Sequence, residues 1–402
     1  MAKILRTMVT KMLAKRVRAR VARVLQWATR RGQGQAIHEP DAWRLGYFDA
    51  RELPEYLVMR SNQERFRRFQ QEHRSRIRRR FYITVVPKTL DLLEYCLRLL
   101  PADLNVFLIL NGLADWERAY LAREFPDIPC FTLETRSRSI LYDRVLDLLM
   151  EENEFDFGIL DQDCFVLDES LFDQLQFQRN ELAMAPFFTH NEAAGIEFPR
   201  TYFLYFNVPI VKSIRDKYRI SFRRCWTLPA DLEEKLAELN LGYRNFPHPS
   251  LNYFDNFQLI WAMAMYERIP FGRVPTMQGR SAARSERVVH VGAGHAYLTE
   301  PYRDSMAESL RRYGRLPQLE KEKLRAAAFC HYSHLRLLEA SASDVLRRRY
   351  LPFFSAYEGS QGVAQRFRSL IKPADIAKMD IVVEETQRRE KRQGRRPRRT
   401  ES

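Results

Sequence analysis

The chain has 402 residues, 45% of them hydrophobic, enough for a real core in one large domain or two ordinary ones. Its net charge of +15 would suit nucleic acid, but ten Lys or Arg with no acid lie in residues 1–31 and a net six in residues 387–402. Those two ends hold the whole surplus, so the body between them is close to neutral. A non-enzymatic nucleic-acid-binding protein is therefore the weaker class, since no recognition module accompanies the basic ends.

Residues 3–27 set Ile4, Leu5, Met8, Val9, Met12 and Leu13 on one stripe, continued by Val17, Val21, Val24 and Leu25. Lys11, Lys15, Arg16, Arg18, Arg20 and Arg23 lie mostly off it. The spacing predicts a basic amphipathic helix within residues 1–36, able either to lie on an anionic membrane surface or to pack on its own body. An arginine-rich helical lead-in follows over residues 37–80. From Phe81 the pattern alternates. Strands are expected at 81–86, 105–110, 128–133 and from 157, with helices at 88–100, 115–125 and 138–152 between them. Strand alternating with helix at this spacing predicts βαβ units and a mostly parallel sheet of the α/β class. Later come an aromatic strand at 202–208, helices at 230–239 and 256–266, and a short strand at 288–291. Residues 301–386 read as a helical C-terminal region and residues 387–402 as a disordered basic tail. Five scattered cysteines make no zinc pattern or disulfide framework and suit a cytoplasmic setting. No apolar stretch approaches the length of a membrane span.

The most informative stretch is Phe157–Val166, an apolar run interrupted by Asp161 and Asp163. Burying a carboxylate inside such a run costs several kcal/mol unless it is paired or metal-bound. At the carboxyl end of a parallel strand these acids lie where open α/β sheets bind ligands. Alternation along a strand would point both the same way, about 6 to 7 Å apart. Two hard oxygen ligands facing one point suit Mg2+ or Mn2+ carrying a diphosphate.

Over residues 81–300 the ordered motifs resemble the GT-A nucleotide-sugar glycosyltransferases. Asp161-Gln162-Asp163 closes the fourth strand, Phe206-Asn207 falls on a later strand, Asp255 precedes an apolar helix, and His290 leads into Val291-Gly292. The resemblance implies Asp163 as direct metal ligand, Asp161 on the donor ribose or the outer shell of the metal, and His290 as a third ligand. It implies Asn207 against the donor sugar and Asp255 as general base for the acceptor hydroxyl. Pro87 and Asn111 end the first two strands, where the family holds the nucleotide base, and Arg144 is the candidate for a diphosphate or base contact. The implied activity is transfer of a sugar from a nucleotide-sugar donor to a glycan or lipid-linked glycan acceptor. The enzyme would be peripheral at the cytoplasmic membrane face if residues 1–31 bind lipid. Nucleotidyl transfer to a sugar phosphate is the alternative, weakened because Pro87-Lys88-Thr89-Leu90-Asp91 lacks the glycine-rich basic loop. Retention or inversion is left open by Val208-Pro209 after Asn207 and by Asn256 after Asp255.

Overall fold

A computed structural model describes residues 53–76, 79–135, 140, 142–177, 180–191, 195–223, 228–241, 257–274, 287–292, 318–358 and 369–392. The amphipathic stretch 1–36 and Asp255 lie outside these residues. The chain opens with helix α1 (Leu53–Glu72), then β1 (Arg80–Val85), α2 (Leu90–Arg98), β2 (Asn105–Leu110), α3 (Asp115–Glu124), β3 (Cys130–Thr132), α4 (Tyr142–Glu152) and β4 (Phe157–Leu160). These elements follow the alternation read from the sequence. Next come β5 (Cys164–Val166), β6 (Ala183–Ala185), the hairpin β7 (Phe188–Asn191) and β8 (Ile196–Pro199), and β9 (Phe203–Phe206). Helices α5 (Val208–Tyr218), α6 (Ala230–Glu238) and α7 (Gln258–Tyr266) precede β10 (Gly272–Arg273) and β11 (Val288–His290). Helices α8 (Gln318–Ala340), α9 (Asp344–Glu358) and α10 (Pro373–Arg392) close the described chain.

Seven strands form one sheet in the order β10-β6-β9-β4-β1-β2-β3. β1, β2, β3 and β4 run parallel, β9 runs antiparallel to its neighbours β4 and β6, and β10 is parallel to β6. Alternating side chains divide the core into two. Phe81, Ile83, Val85, Leu108 and Phe203 face one layer with α2 and the C-terminal helices. Tyr82, Phe107, Ile109, Ile159 and Leu204 face the other, with α1, α4, α5 and α7. Gly158 on β4 leaves room for the Phe81 ring, since a Cβ there would sit 2.0 Å from Phe81 Cε1. The arginine-rich α1 is pinned by buried Phe66 and by ion pairs from Arg65 to Glu134 and Arg67 to Glu152.

A closed polar cluster marks the β1 end away from the acids. Asn153 Oδ1 accepts from Tyr82 Oη at 2.8 Å, Gln70 Nε2 at 3.0 Å and Arg80 Nη1 at 3.3 Å. Its amide nitrogen donates to Leu149 O at 2.7 Å.

The tail departs from the expectation of disorder at 387–392. Met379, Val382, Val383 and Thr386 are buried at helical spacing, and α10 continues through Arg392. Arg389 is itself buried, its guanidinium donating to the main-chain oxygens of Leu99, Val166 and Leu167. Helices α8, α9 and α10 thus complete one of the two cores.

Candidate active site

The apolar run 157–166 is two strands, not one, which corrects the strand geometry expected for the acids. β4 ends at Leu160, residues 161–163 turn, and β5 leaves the main sheet to pair antiparallel with β11. The turn is held by main-chain bonds, the Cys164 N–H donating to Asp161 O at 3.0 Å within it and the Asp161 N–H to Tyr202 O, beside β9, at 2.8 Å. Because β11 pairs with β5, His290 stands opposite Cys164, one residue beyond Asp163. His290 Nε2 lies 3.4 Å from Asp163 Oδ1 and 3.8 Å from Asp161 Oδ2. One ligand atom from each of the three residues falls within 4.8 Å of the others.

Neighbours aim each group. Gly292, at φ +68°, turns the main chain so that its N–H donates to Asp163 Oδ2 at 2.9 Å. The Tyr142 hydroxyl at the start of α4 lies 3.4 Å from Asp161 Oδ1. Tyr202 stacks on the His290 ring, centroids 3.8 Å apart and planes 19° from parallel. Asp161 keeps 34% side-chain exposure, so a ligand from solution can reach it.

The electrostatics separate the two acids. Burial, then the charge of Asp163, pushes the Asp161 carboxyl up to about 7. Burial works the same way on Asp163, but the charge and hydrogen bond of His290, with the Gly292 N–H, outweigh it and hold that carboxyl below its usual value. Burial disfavours a charged His290, yet Asp163 and then Asp161 raise it above its usual value. Two carboxylates and an imidazole at these separations can hold a divalent cation; two ligands side by side on one octahedral ion are about 3 Å apart.

The other sequence candidates are scattered. Pro87 follows β1 at the same edge, beside Lys88, whose backbone adopts φ +66° and whose N–H donates to Glu117 Oε1. Asn111 ends β2, but both arms of its amide bond the Ile140 main chain, at 2.7 and 2.8 Å. Arg144 is buried in the first turn of α4, two residues beyond Tyr142. Asn207 is not brought to the acids. β9 runs antiparallel to β4, so Phe203 pairs with Leu160 beside the turn while Phe206 pairs with Phe157 at the far end. Asn207 there caps α5, accepting from the Ile210 N–H at 3.5 Å.

Sequence reasoning missed Tyr202, Tyr142 and Gln162. No local signal marks the two tyrosines, which reach the site from other elements. Gln162 was legible in principle, since a buried amide between two acids needs partners of its own.

Among known proteins, residues 57–211, less than half the chain, match the StrH glycosyltransferase N-terminal domain family. No curated protein matches. Among solved structures, a mannosyltransferase from Pyrobaculum calidifontis in complex with GDP-Man and Mn2+ aligns at 13% identity and TM-score 0.30, over 84% of this chain and 96% of that one. TarS residues 1–349 of S. aureus align at 11% identity and TM-score 0.29, over 79% of this chain and 91% of that one. At these scores neither alignment adds to the fold described above. The acid turn lies inside the matched stretch, which begins in α1 and ends in α5, so this part of the chain is similar to a glycosyltransferase domain.

Proposed function

We propose that this enzyme transfers a sugar from a nucleotide-sugar donor to an acceptor hydroxyl, using a divalent cation held by Asp161, Asp163 and His290. The observation that carries this reading is the convergence of two carboxylates and one imidazole at the carboxyl end of β4. Mn2+ suits the set better than Mg2+, because imidazole is a poorer partner for the harder ion. Such a cation supplies Lewis-acid stabilisation of the departing diphosphate.

The chain's own groups do the rest. Asp163, ionised and fixed by Gly292 N–H, is the direct ligand. Asp161, placed between Tyr142 and His290, serves as ligand or meets the donor ribose. The edge formed by Pro87 and Asn111 takes the nucleotide, with Arg144 as the cationic candidate for its phosphates. Asp255 is the proposed base for the acceptor hydroxyl, on the resemblance alone. A glycan or lipid-linked glycan is the acceptor class favoured by the basic amphipathic residues 1–31, which would hold the enzyme to an anionic membrane face. No helix among the described residues is long and apolar enough to cross a membrane.

The test is thermal stabilisation of the full chain by a panel of nucleotide sugars, with and without Mn2+, for wild type and Asp163→Asn. The variant keeps an acceptor for Gly292 while removing the charge. A Mn2+-dependent shift for one nucleotide series, absent in the variant, is expected. Equal behaviour of the two proteins with every donor would sink the reading.

A further inference from the structure

We propose that Gln162, the residue between the two acids, is a positioning residue that aims both carboxylates at the metal by anchoring their turn to the loop after β1. The inference rests on the metal reading above. Main-chain bonds hold the two ends of the 161–163 turn, Asp161 N–H to Tyr202 O at 2.8 Å and Val291 N–H to Asp163 O at 3.2 Å, and leave its middle residue to be held by its side chain. Asp161 and Asp163 face His290, while the buried Gln162 side chain runs to β1. There its Oε1 accepts from the Val86 N–H at 3.1 Å and lies 2.8 Å from Thr89 Oγ1. A main-chain N–H can only donate, so it fixes which end of the amide faces the loop.

Thr89 shows that this contact displaces an ordinary one. It occupies the N-cap of α2, where a threonine hydroxyl usually accepts from the first helical turn. Here it makes no capping bond. Its hydroxyl instead lies between Val86 O, at 2.6 Å, and Gln162 Oε1. Gln162 is thereby the described side-chain tie between the acid turn and the Val86–Thr89 loop. A mis-set turn would leave both carboxylates in place chemically but turned from the ion, as loosened supporting groups do at metal sites.

The test is a double-mutant cycle on Mn2+ affinity, read by the loss of the free-ion magnetic-resonance signal on titrating the full chain. The variants are Gln162→Leu, Thr89→Val and the pair together. Gln162→Leu should weaken Mn2+ binding about tenfold and Thr89→Val about threefold, the double variant being no weaker than Gln162→Leu alone. Asn153→Ala serves as a control that lowers stability without touching the turn, and its Mn2+ affinity should equal wild type. If Gln162→Leu does not fold, Thr89→Val carries the test alone: weakened binding supports the role and unchanged binding overturns it. Wild-type affinity in Gln162→Leu, or effects of the two substitutions that multiply, would overturn the positioning role only. A wild-type chain that takes up no Mn2+ overturns this role and the metal reading together.

Discussion

The two ends of β1 hold buried polar clusters of opposite character. At one end Asn153, Tyr82, Gln70 and Arg80 bond one another, and their remaining donors reach the main-chain oxygens of His73, Arg76 and Leu149. At the other, two carboxylates share a single imidazole as their one cationic partner, with the Gly292 N–H on Asp163 and the Tyr142 hydroxyl near Asp161. The first arrangement lowers the free energy of the fold. The second raises it, because one acid can ionise fully only at the expense of its neighbour. Like charge concentrated where a fold could have avoided it points to something brought in from solution, whereas matched polarity points to the fold itself.

Substitutions at the two ends should therefore fail in opposite ways. Asp163→Asn should lower glycosyl transfer about a thousandfold, the scale of losing a principal electrostatic group, while its thermal midpoint without metal stays within a few degrees of wild type. Asn153→Ala should cost about 2 kcal/mol of stability by leaving the buried Tyr82 hydroxyl proton without its acceptor, with kcat/KM of the folded protein unchanged. Chemical denaturation beside a transfer assay checks both, and a large activity loss in Asn153→Ala would erase the contrast. Smaller effects sharpen it. Tyr202→Leu removes the ring stacked on His290 and should weaken Mn2+ about tenfold, whereas Tyr202→Phe keeps the ring and most of the affinity.

The pH dependence comes last. Asp161, raised to about 7, must lose a proton to bind metal, and so must His290, which the acids also raise. Asp163 is already ionised and adds no slope. Mn2+ affinity should thus climb with pH, by up to about tenfold per unit for each proton released, and flatten once both groups have lost theirs. Calorimetric titration across that window checks the sign, and affinity that falls as pH rises would contradict it.

Much of this was legible in the residues. Asn105–Leu110 is apolar between polar breaks and forms a strand with those bounds. β1, α3, α6 and α7 begin or end within two residues of where the pattern put them. The acid turn was harder to see because β4 and β5 are both fully buried, so no polar alternation separates them. Asn207 could have been read as a cap, since Val208-Pro209 sets proline in the first turn of a helix. The tail misled through its arginine count, which ended the helical reading at 386 although the helix runs on to Arg392. Tyr202 and Tyr142 act through stacking and hydroxyl contacts across the fold, and that information exists only once the chain is folded.

The buried guanidinium of Arg389 has a practical consequence for anyone shortening this protein. Residues from Gln387 onward look dispensable, a polar appendage of the sort routinely trimmed before crystallisation. Yet two of the carbonyls that Arg389 ties down, those of Val166 and Leu167, lie at the end of β5. β5 is the strand that leaves the acid turn and pairs with the strand carrying His290. A chain cut at Thr386 would take Arg389 from those oxygens and loosen the support of the acid turn, so an inactive truncated preparation would say nothing about the enzyme's chemistry.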